Sequence, residues 1–209
     1  LPRGPHQLSR DEVIRSQRER LLAAMTDAVA EKGYANTVVA DVVARSGVSR
    51  ATFYQLFRDK EDCFRAAFDA HAELVASVMR TGLDLVRESD DAPLDKLDRV
   101  LSLYLAALSS SPALARVFLV DVYAGGPKLI EQRRRSMERF VDLVAATHDG
   151  ETGMLGTGPD QRFAAELIVG AVSSMVTNLV GTGEFGRLPE LHDDLMRFAR
   201  RLLATEQAG

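Results

Sequence analysis

The sequence predicts an all-α protein of about nine helices, and three observations lead to this class. Apolar residues recur at three- and four-residue spacing along most of the chain, which is the period of a helix with one buried face. Proline and glycine fall between the periodic segments, where helices begin and end. No segment shows the strict alternation of a half-buried strand. We therefore expect an N-terminal three-helix domain with a helix-turn-helix, joined to a larger helical C-terminal domain.

Residues 37–61 predict the helix-turn-helix itself. Thr37 and Ser49 each precede an apolar-periodic segment, where a hydroxyl can accept hydrogen bonds from the free amides of the first turn. Gly47 falls between the two segments, where a short turn usually needs one residue at positive φ. The three helices of this domain are predicted at residues 11–32, 38–45 and 50–56.

Longer helices are predicted in the rest of the chain. Asp59 and Asp62 resemble a capping box at the start of a helix that extends to about Glu88. At about 1.5 Å per residue this helix is more than roughly 40 Å long, so we expect it to belong to both domains. Further helices are predicted at residues 93–110, 112–123, 128–147, 160–182 and 189–204.

The charge of the chain is unevenly distributed. A formal net charge of -4 would by itself argue against a nucleic-acid partner. Residues 1–60, however, carry ten Lys and Arg against seven Asp and Glu, whereas residues 61–209 carry sixteen against twenty-three. The basic excess therefore accompanies the helix-turn-helix. Residues 1–10 are predicted to be a flexible basic arm. Plain disorder is the favoured interpretation of this arm, and the alternative is that Arg3 and Arg10 follow a nucleic-acid backbone or minor groove.

The cellular compartment is predicted from cysteine usage and hydropathy. A single cysteine, Cys63, cannot form an internal disulfide and fits a reducing cytosol; we expect it to be a small core residue. We find no apolar run near the roughly 18 residues of a membrane span and no signal peptide. The prediction is a cytoplasmic protein that does not contact a membrane.

No catalytic residue, metal site or cofactor site is predicted. The four histidines show no metal-ligand spacing, and Ser109–Ser111 lack the surroundings of a nucleophile. The glycines of residues 149–159 predict a loop, since no strand precedes them and no Gly-Lys-Ser/Thr follows. An enzyme on an all-α scaffold stays an alternative that lacks converging catalytic groups.

The second helix of the motif carries side chains suited to reading DNA. Arg50 can donate two parallel hydrogen bonds to guanine, so it is the predicted base reader, with Gln55 next. Other residues of the motif would contact a thymine methyl group or hold phosphates and fix the register. The alternative is that these charges are solvated and the aromatic residues belong to the core. The predicted DNA-contacting residues are Thr37, Ser49, Arg50, Ala51, Thr52, Tyr54, Gln55 and Lys60.

Over residues 11 to about 70 the chain resembles the tetracycline-repressor (TetR) family of transcriptional regulators. Two positions depart from the usual pattern: Ser46 replaces an alanine and Cys63 a leucine. The resemblance implies phosphate contacts by Tyr54 and Lys60, a dimer formed by the last two helices, and a small-molecule pocket between residues 60 and 180. The residues that carry it are Ser46, Gly47, Val48, Ser49, Thr52, Tyr54, Phe57, Lys60 and Glu61.

A dimer is also expected from the size of the reading element, because one short helix contacts too few bases and two half-sites are needed. Helix 160–182 is apolar around most of its circumference, and Gly170 allows close approach. The alternative is that the last two helices are intramolecular core. The predicted interface residues are Phe163, Leu167, Gly170, Ser174, Leu195, Phe198 and Leu202.

Residues 60–147 carry more apolar bulk than a thin bundle needs, with polar groups between. The prediction is a homodimeric repressor that a small hydrophobic effector releases from a palindromic DNA operator; the alternative is an activator or architectural protein without such a switch. Residues 133–135, three arginines, are expected to form a solvated helix face. Residues 11–58 are assigned to DNA binding and residues 59–209 to ligand binding and dimerisation. The candidate ligand-binding residues are Phe68, His71, Met79, Tyr104, Leu105, Phe118, Tyr123, Met137 and Asn178.

Overall fold

The computed structural model describes residues 9–87, 89, 91–145 and 159–206. Within these ranges the chain forms nine α-helices and two short 3₁₀ helices and no strand, which confirms the predicted all-α class. The α-helices are α1 (Arg10–Lys32), α2 (Val39–Ser46), α3 (Arg50–Leu56), α4 (Lys60–Arg87), α5 (Pro93–Ser110), α6 (Pro112–Leu119), α7 (Pro127–Ala145), α8 (Pro159–Thr182) and α9 (Leu188–Glu206).

The chain divides into two compact units, Leu1–Ala70 and His71–Gly209. The division falls inside α4, so this helix contributes residues to both units, as expected from its length. The compact N-terminal unit thus extends 12 residues beyond residue 58, where we placed the end of the DNA-binding domain.

Helix α1 begins with a capping box. The Ser9 hydroxyl accepts a hydrogen bond from the Glu12 amide at 3.2 Å, and the Glu12 carboxylate accepts one from the Ser9 amide at 2.7 Å. These bonds satisfy two amides that a helix start otherwise leaves free. Arg10 is therefore the first residue of α1 and not part of an arm. The remaining residues of the predicted arm, 1–8, lie outside the described residues.

The start of α2 differs from the prediction. Thr37 is fully buried, and its hydroxyl donates to the carbonyls of Ala28 and Gly33 at 3.2 and 2.9 Å. The N-cap position is Val38, whose amide donates to the Asp41 carboxylate at 3.0 Å. Predicting Thr37 as the N-cap was wrong, because its hydroxyl binds the end of α1 instead of the start of α2.

The turn between α2 and α3 confirms the predicted role of glycine. Gly47 has φ 63° and ψ 21°, a left-handed conformation that other residues adopt only at a cost. One guanidinium nitrogen of Arg20 donates to the Ser46 carbonyl and lies 2.8 Å from the place where a Gly47 side chain would begin. Arg20 thereby satisfies a carbonyl at the end of α2 and closes the turn from the α1 side.

The core of the N-terminal unit is formed by α1, α2, α3 and the first turns of α4. Cys63 is fully buried, and burial raises the pKa of its thiol to about 12. The burial confirms its assignment as a core residue. The raised pKa means that little of the reactive thiolate is present at neutral pH. The side chains that are completely buried in this unit include Leu21, Met25, Val29, Val42, Phe53, Phe64 and Phe68.

In the C-terminal unit α8 packs against α6 and α7, and α5 packs against α9. Helices α5 and α6 meet at Ser111 with a bend of 104°. We expected α6 to reach residue 123, but it ends at Leu119 and a 3₁₀ helix, Asp121–Gly125, follows. The rings of Phe118 on α6 and Phe140 on α7 pack edge to face, with their centroids 6.5 Å apart.

Helix α8 corrects one expectation from the sequence. Among the described residues, Gln161–Thr182 is long and apolar enough to cross a bilayer by length and composition, with a mean hydropathy of 1.6. A core helix of a soluble protein passes the same test. Only 28% of this apolar window is buried by the described part of the chain. Scattered polar residues such as Ser173 and Thr177 hid the run in the sequence.

Replacing Gly47 with alanine should destabilise the N-terminal unit. A left-handed alanine costs about 1–2 kcal/mol, and its Cβ would meet Arg20 at 2.8 Å. Urea denaturation followed by circular dichroism measures the loss. Gly186→Ala is the control, because nothing lies within 4 Å of its Cβ position and its φ is not positive. Equal effects of the two substitutions would contradict the role assigned to Gly47.

Candidate functional site

Helix α3 presents one polar face and buries the other. Phe53 is fully buried and packs against Phe57 with ring centroids 5.7 Å apart. Arg50, Tyr54 and Gln55 are exposed, and residues one helical turn apart share a face. The core contact of Phe53 therefore fixes which side chains α3 turns outward.

Arg50 and Tyr54 form the centre of the exposed face. The Arg50 guanidinium lies 5.7 Å from the Tyr54 ring centroid, within range of a cation–π contact. Within the described residues Arg50 has no carboxylate partner, so its hydrogen-bond donors stay available. Tyr54 is 49% exposed, and its ring packs nearly perpendicular to the Phe53 ring with the centroids 5.3 Å apart. The Tyr54 ring is thus packed against a core residue, while both side chains stay exposed.

Ser49 and Thr52 stabilise the start of α3. The Ser49 hydroxyl accepts a hydrogen bond from the Thr52 amide at 3.0 Å, which confirms Ser49 as an N-cap. The two hydroxyl oxygens are 2.9 Å apart and share a further hydrogen bond. Both side chains therefore take part in the cap at the start of α3. Ala51 is exposed beside them, one residue after Arg50.

Lys60 is held at the start of α4 by a residue that the sequence analysis did not single out. Its ammonium group donates to the Tyr34 carbonyl at 2.8 Å and lies 4.2 Å from the Tyr34 ring centroid. Burial lowers the pKa of Lys60. An ammonium has three donors, so two are left for a phosphate. The only sequence signal for Tyr34 was an aromatic residue directly after the glycine that ends α1.

Thr37 is the one predicted DNA contact that the structure removes from the site, because its hydroxyl is buried and bonded to two carbonyls. Two other charged side chains near the motif are paired with opposite charges. Arg45 pairs with Glu31, and hydrogen bonds from Lys32 and from the Val38 amide lower the pKa of Asp41. Arg50 differs from these charges in having no such partner among the described residues.

A second candidate site lies in the C-terminal unit, where a cavity of about 250 Å³ opens beside α7 and α8. Its lining is more polar than predicted, with three hydroxyl side chains from α8 and one guanidinium from α7. Of the predicted ligand-binding residues, Tyr123 and Met137 belong to it. The lining residues are Tyr123, Arg133, Met137, Gly170, Ser173, Ser174 and Thr177.

The other predicted ligand-binding residues do not line this cavity. Four are buried in the cores: Phe68 lies in the N-terminal unit, while Met79, Leu105 and Phe118 lie in the C-terminal unit. The remaining three differ in their environments. Burial lowers the pKa of His71 and raises the pKa of Tyr104 to about 12, whereas Asn178 is exposed.

Arg133 corrects the expected solvated arginine face. Its neighbours Arg134 and Arg135 are exposed and pair with Glu131, as expected. Arg133 itself is only 6% exposed. It donates to the Tyr123 hydroxyl at 2.9 Å and to the Ser173 hydroxyl at 3.1 Å. No local sequence pattern indicates this, because both partners are at least ten residues away.

The exposed face of α8 contains most of the predicted dimer residues. Phe163 and Leu167 are 59% and 58% exposed, and Gly170 and Ser174 follow on the same side. On α9, Phe198 is 61% exposed and Leu195 is half-buried. The Leu202 side chain lies outside the described residues. Each of the two helices therefore has an apolar face that the described part of the chain does not cover.

Comparison with known proteins finds similarity to transcriptional regulators. Residues 21–67 match the family model of bacterial regulatory proteins of the tetR family. The fatty acid metabolism regulator protein of Bacillus subtilis is 23% identical over 77% of this chain and 82% of its own length. The transcriptional regulator RutR of Escherichia coli K12 is also 23% identical, over 66% of this chain and 62% of its own length.

Solved structures share the fold. The regulator FadR of Bacillus subtilis, crystallised with stearoyl-CoA, superposes with a TM-score of 0.73 over 87% of this chain and 96% of its own, at 21% identity. A transcriptional regulator from Rhodococcus sp. Rha1 gives a TM-score of 0.70 over 90% of this chain and 96% of its own, at 25% identity. These relatives are regulators and not enzymes. The family match over residues 21–67, the capped and outward-facing recognition helix, and the shared fold together support a TetR-family transcriptional regulator.

Proposed function

We propose that the chain is a homodimeric repressor that reads a palindromic DNA operator through α3 and leaves it when a small hydrophobic effector binds the C-terminal unit. The observation that carries the DNA-reading role is Arg50, an exposed guanidinium without a carboxylate partner among the described residues, set beside Tyr54. A DNA-binding regulator acts where the chromosome lies, so the proposed location is the cytoplasm.

The proposed division of labour on α3 and α4 follows from what each side chain already contacts. Arg50 has a free planar fork, which suits two parallel bonds to guanine in the major groove. Gln55 and Ala51 are exposed on the same short helix and complete the base-reading set. Tyr54 and Lys60 are anchored to the core through rings and a carbonyl. Anchored groups suit phosphate positioning, because register depends on fixed contacts.

Dimerisation is supported by the uncovered apolar surface on α8 and α9. Phe163, Leu167 and Phe198 are each more than half exposed, and exposed apolar patches of this kind mark interaction surfaces. A second copy related by a two-fold axis would present the same surface and cover it. Two copies would also supply the second recognition helix that an operator of two half-sites needs.

The effector proposal draws on the relatives. FadR of Bacillus subtilis was crystallised with stearoyl-CoA, and the Bacillus subtilis relative found by sequence is named a fatty acid metabolism regulator protein. An acyl group is therefore the first effector chemistry to test. A ligand that binds the DNA-incompetent state more tightly lowers operator occupancy by shifting the population of states. The alternative remains a regulator, either activator or architectural, without a small-molecule switch.

Arg50→Ala should weaken operator binding by about 1–3 kcal/mol and relax preference at one base pair. Lys60→Ala should weaken binding to all sequences alike, because a phosphate contact carries no base information. An operator selected from random duplexes, together with its single-base variants, is titrated with each protein. Arg135→Ala serves as the control from the other unit. Equal and sequence-independent losses from Arg50→Ala and Lys60→Ala would refute the division of roles.

Leu167→Glu should dissociate the dimer, because a buried unpaired carboxylate in an apolar interface costs several kcal/mol. Light scattering after size exclusion, at micromolar concentration, should report a monomer. Leu74→Glu is the matched control, since Leu74 is 56% exposed but lies on α4. A dimer that survives Leu167→Glu but not Leu74→Glu would place the interface elsewhere.

Effector release is tested by titrating operator affinity against acyl-CoA thioesters and other candidate ligands. Moving the ratio of operator-competent to operator-incompetent protein from 99:1 to 1:99 requires about 5.5 kcal/mol of differential binding. A true effector should therefore abolish operator binding only at concentrations far above its own dissociation constant for the incompetent state. If every ligand found to bind leaves operator affinity unchanged, the switch is excluded and the alternative without a switch is favoured.

A further inference from the structure

Arg133 is a buried cation whose hydrogen bonds are incomplete. Its guanidinium donates to the Tyr123 hydroxyl, to the Ser173 hydroxyl and to the Phe118 carbonyl at 3.3 Å. A guanidinium has five N–H donors, so these bonds leave two unused. None of its partners among residues 9–87, 91–145 and 159–206 is a carboxylate. A charge this buried normally has a counter-ion.

Part of the role of Arg133 is structural. Phe118 lies in the last turn of α6, where carbonyls lack partners within the helix. A cation there satisfies one carbonyl and interacts favourably with the helix dipole. The guanidinium also lies 5.3 Å from the Tyr123 ring centroid and 5.9 Å from that of Phe118. These contacts compensate the charge partly, but they do not replace an anion.

The cavity beside Arg133 contains a second unsatisfied group. The Thr177 hydroxyl oxygen is buried and has no hydrogen-bond partner among the described residues, although buried hydroxyls nearly always have one. Thr177 and Arg133 both line the cavity of about 250 Å³. Two independent polar groups with unused hydrogen-bonding capacity thus line one site, and one of them is positively charged.

We propose that this cavity binds a small carboxylic acid, with the carboxylate on Arg133 and Thr177. The planar guanidinium fork matches the two oxygens of a carboxylate, and such a pair is strongest where water is excluded. At interior packing density the cavity accepts roughly 190 Å³ of van der Waals volume, about that of an acid with ten non-hydrogen atoms. Met137 offers a flexible apolar contact to the chain of the acid.

This site deepens the proposed effector switch and rests on it for any effect on DNA. Gly170 and Ser174 line the cavity and also belong to the surface proposed for the dimer. An acid bound there would lie beside the partner copy, so occupancy and dimer geometry would be coupled. A coenzyme A thioester has no carboxylate at its acyl carbon and is far larger than the cavity, so it would not use Arg133 in this way.

The test compares octanoate, octanol and octanoyl-CoA as ligands of the full chain by isothermal titration calorimetry. Octanoate should bind the wild-type protein, and Arg133→Met should weaken it about 10- to 100-fold, the loss expected for a bidentate charged pair. Arg133→Lys should weaken octanoate binding less than Arg133→Met does, because lysine keeps the positive charge although it lacks the planar guanidinium. Arg135→Met, which removes an exposed arginine of the same helix, should leave octanoate binding unchanged.

A second variant keeps the test valid if Arg133→Met misfolds. Thr177→Val keeps the shape of the side chain and all three Arg133 bonds, and it should weaken octanoate binding several-fold. Octanoate affinity that survives both Arg133→Met and Thr177→Val, or octanol that binds as tightly as octanoate, would overturn the proposal.

Operator titrations separate this proposal from the switch. Arg133-dependent octanoate binding without any change in operator affinity would support the carboxylate site and refute the switch through it. Operator release by octanoyl-CoA, with no octanoate binding, would support the switch and overturn the carboxylate site.

Discussion

The left-handed backbone at Gly47 is the constraint on which the DNA-reading unit depends. It ends α2 and turns the chain so that Ser49 can cap α3 within two residues. Arg20, from α1, binds the carbonyl just before it, so the first helix fixes the turn between the other two. The turn places α3 so that Phe53 is buried. Arg50 is exposed on the same helix for this reason alone, and needs no further contact to hold it there.

The sequence predicted those parts of the fold that depend on local rules. A glycine at positive φ, a serine before a helix and prolines at first turns act within a few residues, so helix order and most boundaries could be placed. Thr37 shows where such local rules fail. Its hydroxyl donates to the Ala28 carbonyl of α1, nine residues away, and does not cap the adjacent start of α2. The end of α6 was missed for a related reason: apolar residues continue the helical spacing into the 3₁₀ helix.

The candidate sites were predictable to different degrees. The recognition residues lie together in sequence, so their pattern was visible directly. The cavity is built by side chains from three separate segments, and core and cavity residues look alike in composition. Arg133 directly precedes Arg134, which pairs with Glu131 and Glu138 on the surface, and this context concealed a buried charge. Only tertiary contact with Tyr123 and Ser173 distinguishes it from its neighbours.

Gly170 and Ser174 line the cavity and are also part of the apolar face of α8. In a two-fold symmetric dimer formed through this face, the cavity would occur twice, once in each copy, on the two sides of one interface. Two ligands would then share one interface, and filling the first cavity would change the surroundings of the second. Positive or negative cooperativity between the two cavities, read from the steepness of a binding curve, would thus arise from where one glycine and one serine lie on a helix.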